Sequence, residues 1–266
     1  MPARCSNCRL DGTGRTAEPL AYNGDIAATF DHLRIDRSGA IETVTLDRPE
    51  RLNALSQPLA DSLVAYFRYR QRDGDVRVIL IRGAGRAFCS DADLKAGGQP
   101  DELRDGPDGD WVLRDLMKAM RACPQPVIAL VHGPAAGGGL AIALVADVIV
   151  AGESATFHPA FIKVGLSGSE LGVSWRLQRT IAVSRAREML LTGRPMSAAE
   201  ALRTGLVSSF VADAELGVHG RAMAGEMLRA APDALRVTKR TFDATLKLEE
   251  RAQIPTIRAC RSPVMG

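Results

Sequence analysis

The chain has 266 residues, enough for one large domain, or one domain with a small C-terminal subdomain, around a sizeable core. Its formal net charge is +3 with acidic and basic residues interspersed, so no basic face of the kind that tracks nucleic acid stands out. No apolar run nears the roughly 20 residues of a membrane span, and the first residues lack the apolar core of a signal peptide, so a cytoplasmic protein with neither nucleic-acid nor membrane partners is expected.

Residues 1–29, rich in Gly, Arg, Thr, Asn and Ala without periodicity, read as a disordered N-terminal extension. Cys5 and Cys8 within it have zinc-like spacing but no second ligand pair, so no metal site is predicted. Cys89 and Cys123 read as small packing residues. His32 to Ile35 and Ile41 to Leu46 read as a hairpin around Arg37-Ser38-Gly39. Ser56 is a candidate N-cap for a helix reaching about Arg72, with Leu59, Leu63, Tyr66 and Phe67 on its apolar face. A buried strand is expected at 77–82. The polar, Gly/Pro/Asp-rich stretch at 96–110 is too long for a passive connection and is read as a loop beside the site.

Trp111 to Met120 is expected to be a helix, Val127 to Val131 a strand, Gly138 to Val145 a helix and Val148 to Ala151 a strand. This alternation predicts an α/β protein with a parallel sheet and helices outside it. From Val173 onward the chain reads as helical, with starts near Val173, Ser184, Ser197, Asp213 and Pro232. Ser197-Ala198-Ala199-Glu200 has capping-box spacing. The last helices carry apolar positions at helical spacing (Met223, Met227, Leu228; Leu235, Val237, Leu246) and want a partner surface.

The run His132-Gly133-Pro134-Ala135-Ala136-Gly137-Gly138-Gly139-Leu140 joins a predicted strand to a predicted helix. Its glycines let the backbone approach a ligand closely, and the free N–H groups of a helix N-terminus favour negative charge. That combination suits an oxyanion. A second run of small residues, Gly85-Arg86-Ala87-Phe88-Cys89-Ser90-Asp91-Ala92-Asp93-Leu94, follows the strand before it at the sheet edge where α/β proteins bind ligands.

With Asp47-Arg48-Pro49-Glu50-Arg51-Leu52-Asn53-Ala54-Leu55 before them, and Asp147, Leu191-Thr192-Gly193-Arg194, Ala199-Glu200-Ala201 and Gly205-Leu206-Val207 after, these segments resemble the crotonase superfamily, also called the enoyl-CoA hydratase/isomerase family. The resemblance runs from about Leu33 to about Leu248. It implies a crotonase-like spiral of ββα units over 30–205 that binds acyl-CoA, and a C-terminal helical trimerisation region over 206–266. It also implies a homotrimer or a hexamer, an acyl-CoA substrate, and no cofactor beyond the coenzyme A of that substrate.

By the same resemblance, the backbone N–H groups of Ala92 and Gly138 form an oxyanion hole for the thioester carbonyl. Arg51, Ala54, Arg86 and Lys95 fall at CoA-binding positions. Hydratases of the family carry two glutamates, and here those positions are Ala141 and Phe161, which cannot transfer protons. Ala141, Phe161 and Trp175 then read as acyl-pocket residues, and Glu170 matches, with one residue's shift, the place of an isomerase aspartate and is the candidate acid/base. Asp91 stands where the family has glycine and is read as pointing to solvent, or else orienting a group near the thioester. His132 and His158 are read as structural.

The function expected is therefore hydration or double-bond isomerisation of an enoyl-CoA through an enolate held in the oxyanion hole. The alternatives are an acyl-CoA-binding protein without catalysis, and a thioester hydrolase.

Overall fold

The computed structural model describes residues 30–92 and 112–245. The expected N-terminal extension, Cys5, Cys8, Lys95, the 96–110 stretch, Trp111, Leu246 and Cys260 lie outside the described residues. The strands are β1 (Leu33–Ser38), β2 (Ile41–Leu46), β3 (Val78–Gly83), β4 (Val127–Val131), β5 (Pro134–Ala136), β6 (Val148–Gly152), β7 (Thr156–His158), β8 (Met196–Ser197) and β9 (Ser209–Val211). The helices are α1 (Gln57–Arg70), α2 (Val112–Ala122), α3 (Gly138–Val145), α4 (Val173–Thr180), α5 (Val183–Thr192), α6 (Ala198–Thr204), α7 (Leu216–Leu228) and α8 (Pro232–Thr245).

The main sheet runs β1-β2-β3-β4-β6-β9. Within this sheet, among the described residues, the β1–β2 pair is antiparallel and every later pair is parallel. Beside it lies a smaller sheet, β5-β7-β8, and the circuits β4-β5 and β6-β7 each add a strand to both sheets before the chain enters α3 and α4. This is the expected α/β spiral.

The period-2 alternation of strands explains why β3 and β4 are apolar throughout. Ile79 and Ile81 of β3, with Val127, Ala129 and Val131 of β4, point into the main core beside α1 and α2. Val78, Leu80, Ile128 and Leu130 point the other way, onto Leu216 and Ala224 of α7. Met223, Met227 and Leu228 join that second cluster, so the surface α7 wanted is this chain's own sheet. The border expected after residue 205 falls between α6 and β9, and β9 pairs with β6, so the sheet draws on both sides of it.

Several element readings need correction. Strand β1 continues through Arg37 and Ser38, and the turn is tighter than expected, a two-residue reversal at Gly39 (φ +59°) and Ala40. Ser56 occupies the N-cap position without a side-chain bond. The second residue of that helix is Pro58, which has no N–H to offer. Helix α1 ends at Arg70, and β3 lies one residue later than expected. The region after Val173 is not wholly helical, because β8 and β9 interrupt it. At Ser197 the hydroxyl does accept the Glu200 N–H (3.3 Å), whereas the Glu200 carboxylate pairs with Arg185 rather than folding back.

A buried polar cluster supports the first layer. Glu42 and Arg70 are both fully buried and meet at 2.7 Å, and the Tyr66 hydroxyl donates to the other Glu42 oxygen at 2.6 Å. Arg70 also pairs with Asp73. Asp147 accepts the Val127 N–H and the Lys239 ammonium, each at 2.7 Å, tying the start of β4 to α8. No described helix is long and apolar enough to cross a membrane.

Candidate active site

Three stretches of backbone converge at the C-terminal edge of β3 and β4. Asn53 organises the first. Buried, with φ +55°, it donates through Nδ2 to the carbonyls of Ala84 and Ala87, both at 2.8 Å, and accepts the Arg48 N–H at 2.9 Å. The sequence marked Asn53 only as part of a motif; its three bonds fix the 48–55 loop against the segment leaving β3.

Residues 89–92 are then held from both sides. The Ser90 N–H donates to Leu52 O (3.1 Å) and the Leu55 N–H to Asp91 O (2.8 Å). Opposite, Cys89 N–H donates to Pro134 O (3.1 Å) and Ala136 N–H to Cys89 O (2.9 Å). A Cβ on Gly139 would lie 2.4 Å from the Cys89 carbonyl oxygen, so the approach of the two arms requires glycine there.

The glycine turn distributes its N–H groups unequally. Gly137, with φ +44°, gives its N–H to His158 O at 3.0 Å. The Gly138 N–H, at the first turn of α3, instead donates to Asp91 Oδ1 at 2.7 Å. The Ala92 N–H bears on the same carboxyl. Ala92 and Gly138 thus both lie at the Asp91 carboxyl.

That corrects the reading of Asp91 as a solvent-facing side chain. Its carboxyl lies over the glycine turn, so near that a Cβ on Gly137 would meet its atoms at 1.9–2.2 Å. Burial raises its pKa above the usual carboxylate range, against the lowering pull of the Gly138 and Ala92 N–H groups. Asp91 holds this position with φ +88°, a conformation natural to glycine. The signal available in the sequence was the replacement of glycine itself.

Residues 36–259 match the model of the enoyl-CoA hydratase/isomerase family. The chain belongs to that family. A probable enoyl-CoA hydratase, echA12, of Mycobacterium bovis is 42% identical over 208 residues, covering 76% of this chain and 73% of that protein. A monofunctional enoyl CoA isomerase from M. smegmatis superposes with a TM-score of 0.73 at 37% identity, over 84% of this chain and 98% of its own. A protein of Thermobifida fusca, described as an enoyl-CoA hydratase and solved in complex with CoA, gives 0.75 at 27% identity, over 86% and 91%.

The remaining candidates are more dispersed. Glu170 precedes Leu171, which is strained at φ +54°, and its carboxylate lies 3.8 Å from an Arg114 nitrogen. It lines a depression of about 430 Å³ with Arg114, Met117, Lys118, Ser169, Leu171 and Gly172, none of them from the glycine turn. The half-buried Trp175 ring sits under the guanidinium of Arg179 (4.3 Å), with Arg121 and Arg176 at 5.7 Å. Ala141 and Phe161 are buried in the main core.

Arg86 is exposed and lines a depression of about 650 Å³ that also includes Arg82, Arg221, His132 and Asp213. Arg51 is half-buried, and the Ala54 carbonyl accepts from Arg48 at 2.6 Å. His132 Nε2 lies 2.8 Å from Gly85 O and His158 Nε2 lies 2.8 Å from Thr156 Oγ1, and burial chiefly, then Lys163, lowers the His158 pKa. Both described thiols are inert packing groups, since burial pushes Cys89 up to about 12 and Cys123 up to about 11. Among the described residues, no group of three or more His, Cys, Asp or Glu side chains is placed to hold a metal ion.

Proposed function

We propose that the chain acts on an enoyl-CoA thioester, whose carbonyl oxygen is received by the Ala92 and Gly138 N–H groups and stabilised there as an enolate. One observation carries this reading. The Gly138 N–H donates to the Asp91 carboxyl at 2.7 Å and the Ala92 N–H lies at the same carboxyl, pulling its pKa down, so the fold already accommodates an acceptor oxygen beside the glycine turn. An enolate oxygen is the same kind of acceptor, and preorganised donors of this type are worth about 10²–10³ each in rate.

The reaction is hydration or double-bond isomerisation, and Glu170 is the proposed acid/base. Isomerisation suits a chain with Ala141 and Phe161 in place of the glutamates, because one carboxylate can carry a proton between two carbons. CoA is the carrier of the acyl group rather than a separate cofactor. Arg86, with Arg82 and Arg221 around the same depression, supplies cationic charge for its phosphates, and Arg51, Ala54 and Lys95 complete the proposed CoA contacts. Ala141, Phe161 and Trp175 are proposed to border the acyl chain. Assembly as a homotrimer or hexamer belongs to the same proposal, and light scattering tests it.

A second reading is binding without turnover. The Arg114 partner of Glu170 and the apolar character of Ala141 and Phe161 favour it. Crotonyl-CoA and a 3-enoyl-CoA, followed by absorbance with wild type and Glu170→Gln, separate the two. Turnover that disappears in Glu170→Gln supports the enzyme and its base; tight binding with no turnover by either protein supports the second reading.

A further inference from the structure

The carboxylate in the cradle has a consequence for how any thioester enters. An N–H group makes one strong hydrogen bond at a time, and the Gly138 N–H already makes it, at 2.7 Å, to Asp91. A carbonyl oxygen placed at the meeting point of the Ala92 and Gly138 N–H groups would overlap the Asp91 carboxylate. The backbone that carries Asp91 is held independently of its side chain: Asp91 O accepts the Leu55 N–H at 2.8 Å, and the Ser90 N–H donates to Leu52 O at 3.1 Å. Rotation of the side chain alone can therefore empty the cradle and leave the Ala92 N–H where it is.

We propose that Asp91 is an internal occupant of the oxyanion cradle, and that a thioester binds by carboxylate-for-carbonyl exchange as the Asp91 side chain swings out. This rests on the acyl-CoA reading above. No covalent bond changes; an acceptor already present is traded for an incoming one. The trade is unequal in the ground state. Asp91 is tethered beside the cradle and competes with a carbonyl at high effective concentration, whereas an enolate oxygen gains from the donors through a charge that a carbonyl lacks. Asp91 thus acts as a specificity residue. A ligand opens the cradle only if its CoA and acyl portions supply binding energy elsewhere, and because ground and transition states both need the cradle empty, the penalty raises KM and leaves kcat unchanged.

The test is calorimetric titration of wild type and Asp91→Gly with butyryl-CoA, a saturated thioester that cannot be turned over by these reactions, and with free CoA, which has no carbonyl. Glycine adopts φ +88° without strain, so the variant retains the backbone, and a thermal melt verifies it. The expected result is butyryl-CoA binding at least about tenfold tighter in Asp91→Gly, as loss of a tethered competitor implies, with free CoA unchanged. Equal or weaker butyryl-CoA binding in the variant would overturn the exchange. An equal gain for butyryl-CoA and free CoA would also overturn it, because the gain would not depend on the carbonyl. Binding of neither ligand by either protein would overturn the acyl-CoA reading and this inference together.

Discussion

At the scale of single residues, Asp91 and Asn53 decide how the site stands. For Asp91 the pH dependence follows from linkage. Resting in the cradle, its buried carboxyl titrates above the usual carboxylate range; displaced into water, it returns to that range. The resting form therefore takes up a proton first as pH falls, and protonation opposes opening. The ratio of butyryl-CoA to free-CoA affinity should fall as pH drops through the raised Asp91 value and level off below the ordinary carboxylate value. Asp91→Gly should lack this step. The ratio cancels titration of the CoA phosphates. Titratable groups on the elements around Asp91 are Cys89, whose thiol burial pushes up to about 12, His158 on β7, Arg48, Glu50 and Arg51 in the 48–55 loop, and Arg114, Asp115, Lys118 and Arg121 on α2. A ratio independent of pH in wild type would contradict this account.

Asn53→Ala removes the partner of two carbonyls and one N–H at a buried site. It should cost about 2 kcal/mol or more in chemical denaturation and loosen the Ala92 arm of the cradle. Neither role was legible in the sequence. A buried asparagine and an exposed one look alike until the 84–87 carbonyls are known to lie beside it, and the Asp91–Gly138 bond joins segments far apart in the chain.

At the scale of elements, the strands and helices with strong periodicity were legible. Val127–Val131 and Gly138–Val145 have the limits their composition suggested, because an apolar run bounded by turn residues leaves few alternatives. The short strands β5, β7, β8 and β9 were not. Two or three residues carry no period, and what makes them strands is a neighbour such as the β5–β7 or β6–β9 pairing. Yet β5 is the element that delivers the glycine turn to Cys89. The contact there is close enough that Gly139→Ala, whose Cβ would lie 2.4 Å from the Cys89 oxygen, must push the arms apart. We expect kcat to fall by about 10²–10³ in that variant, the loss typical of a misplaced oxyanion donor. Retention of wild-type kcat would mean that the spacing of the arms does not matter to the reaction.

Across the whole molecule, the resemblance to the family made the spiral legible before any single strand was certain, because several motifs occur in order along the chain. The polar support beneath the sheet was not legible in this way. Glu42 and Arg70 look like surface residues on a strand and a helix, but both are fully buried and paired. Arg70→Met leaves Glu42 without its counter-charge in the core and should destabilise the fold by about 3–5 kcal/mol by denaturant titration. The double variant with Glu42→Leu should recover part of that loss, since it removes the stranded charge as well.

All of these levels bear on one proposed arrangement, in which two backbone N–H groups at the C-terminal edge of the sheet receive a thioester oxygen. Isotope-edited infrared spectroscopy of crotonyl-CoA labelled at the carbonyl carbon reads that contact directly. The account predicts that the carbonyl stretch of the bound thioester lies at lower frequency than in water, as two preorganised donors polarise the bond. A bound thioester whose carbonyl stretch is unshifted, or moves to higher frequency, would contradict it.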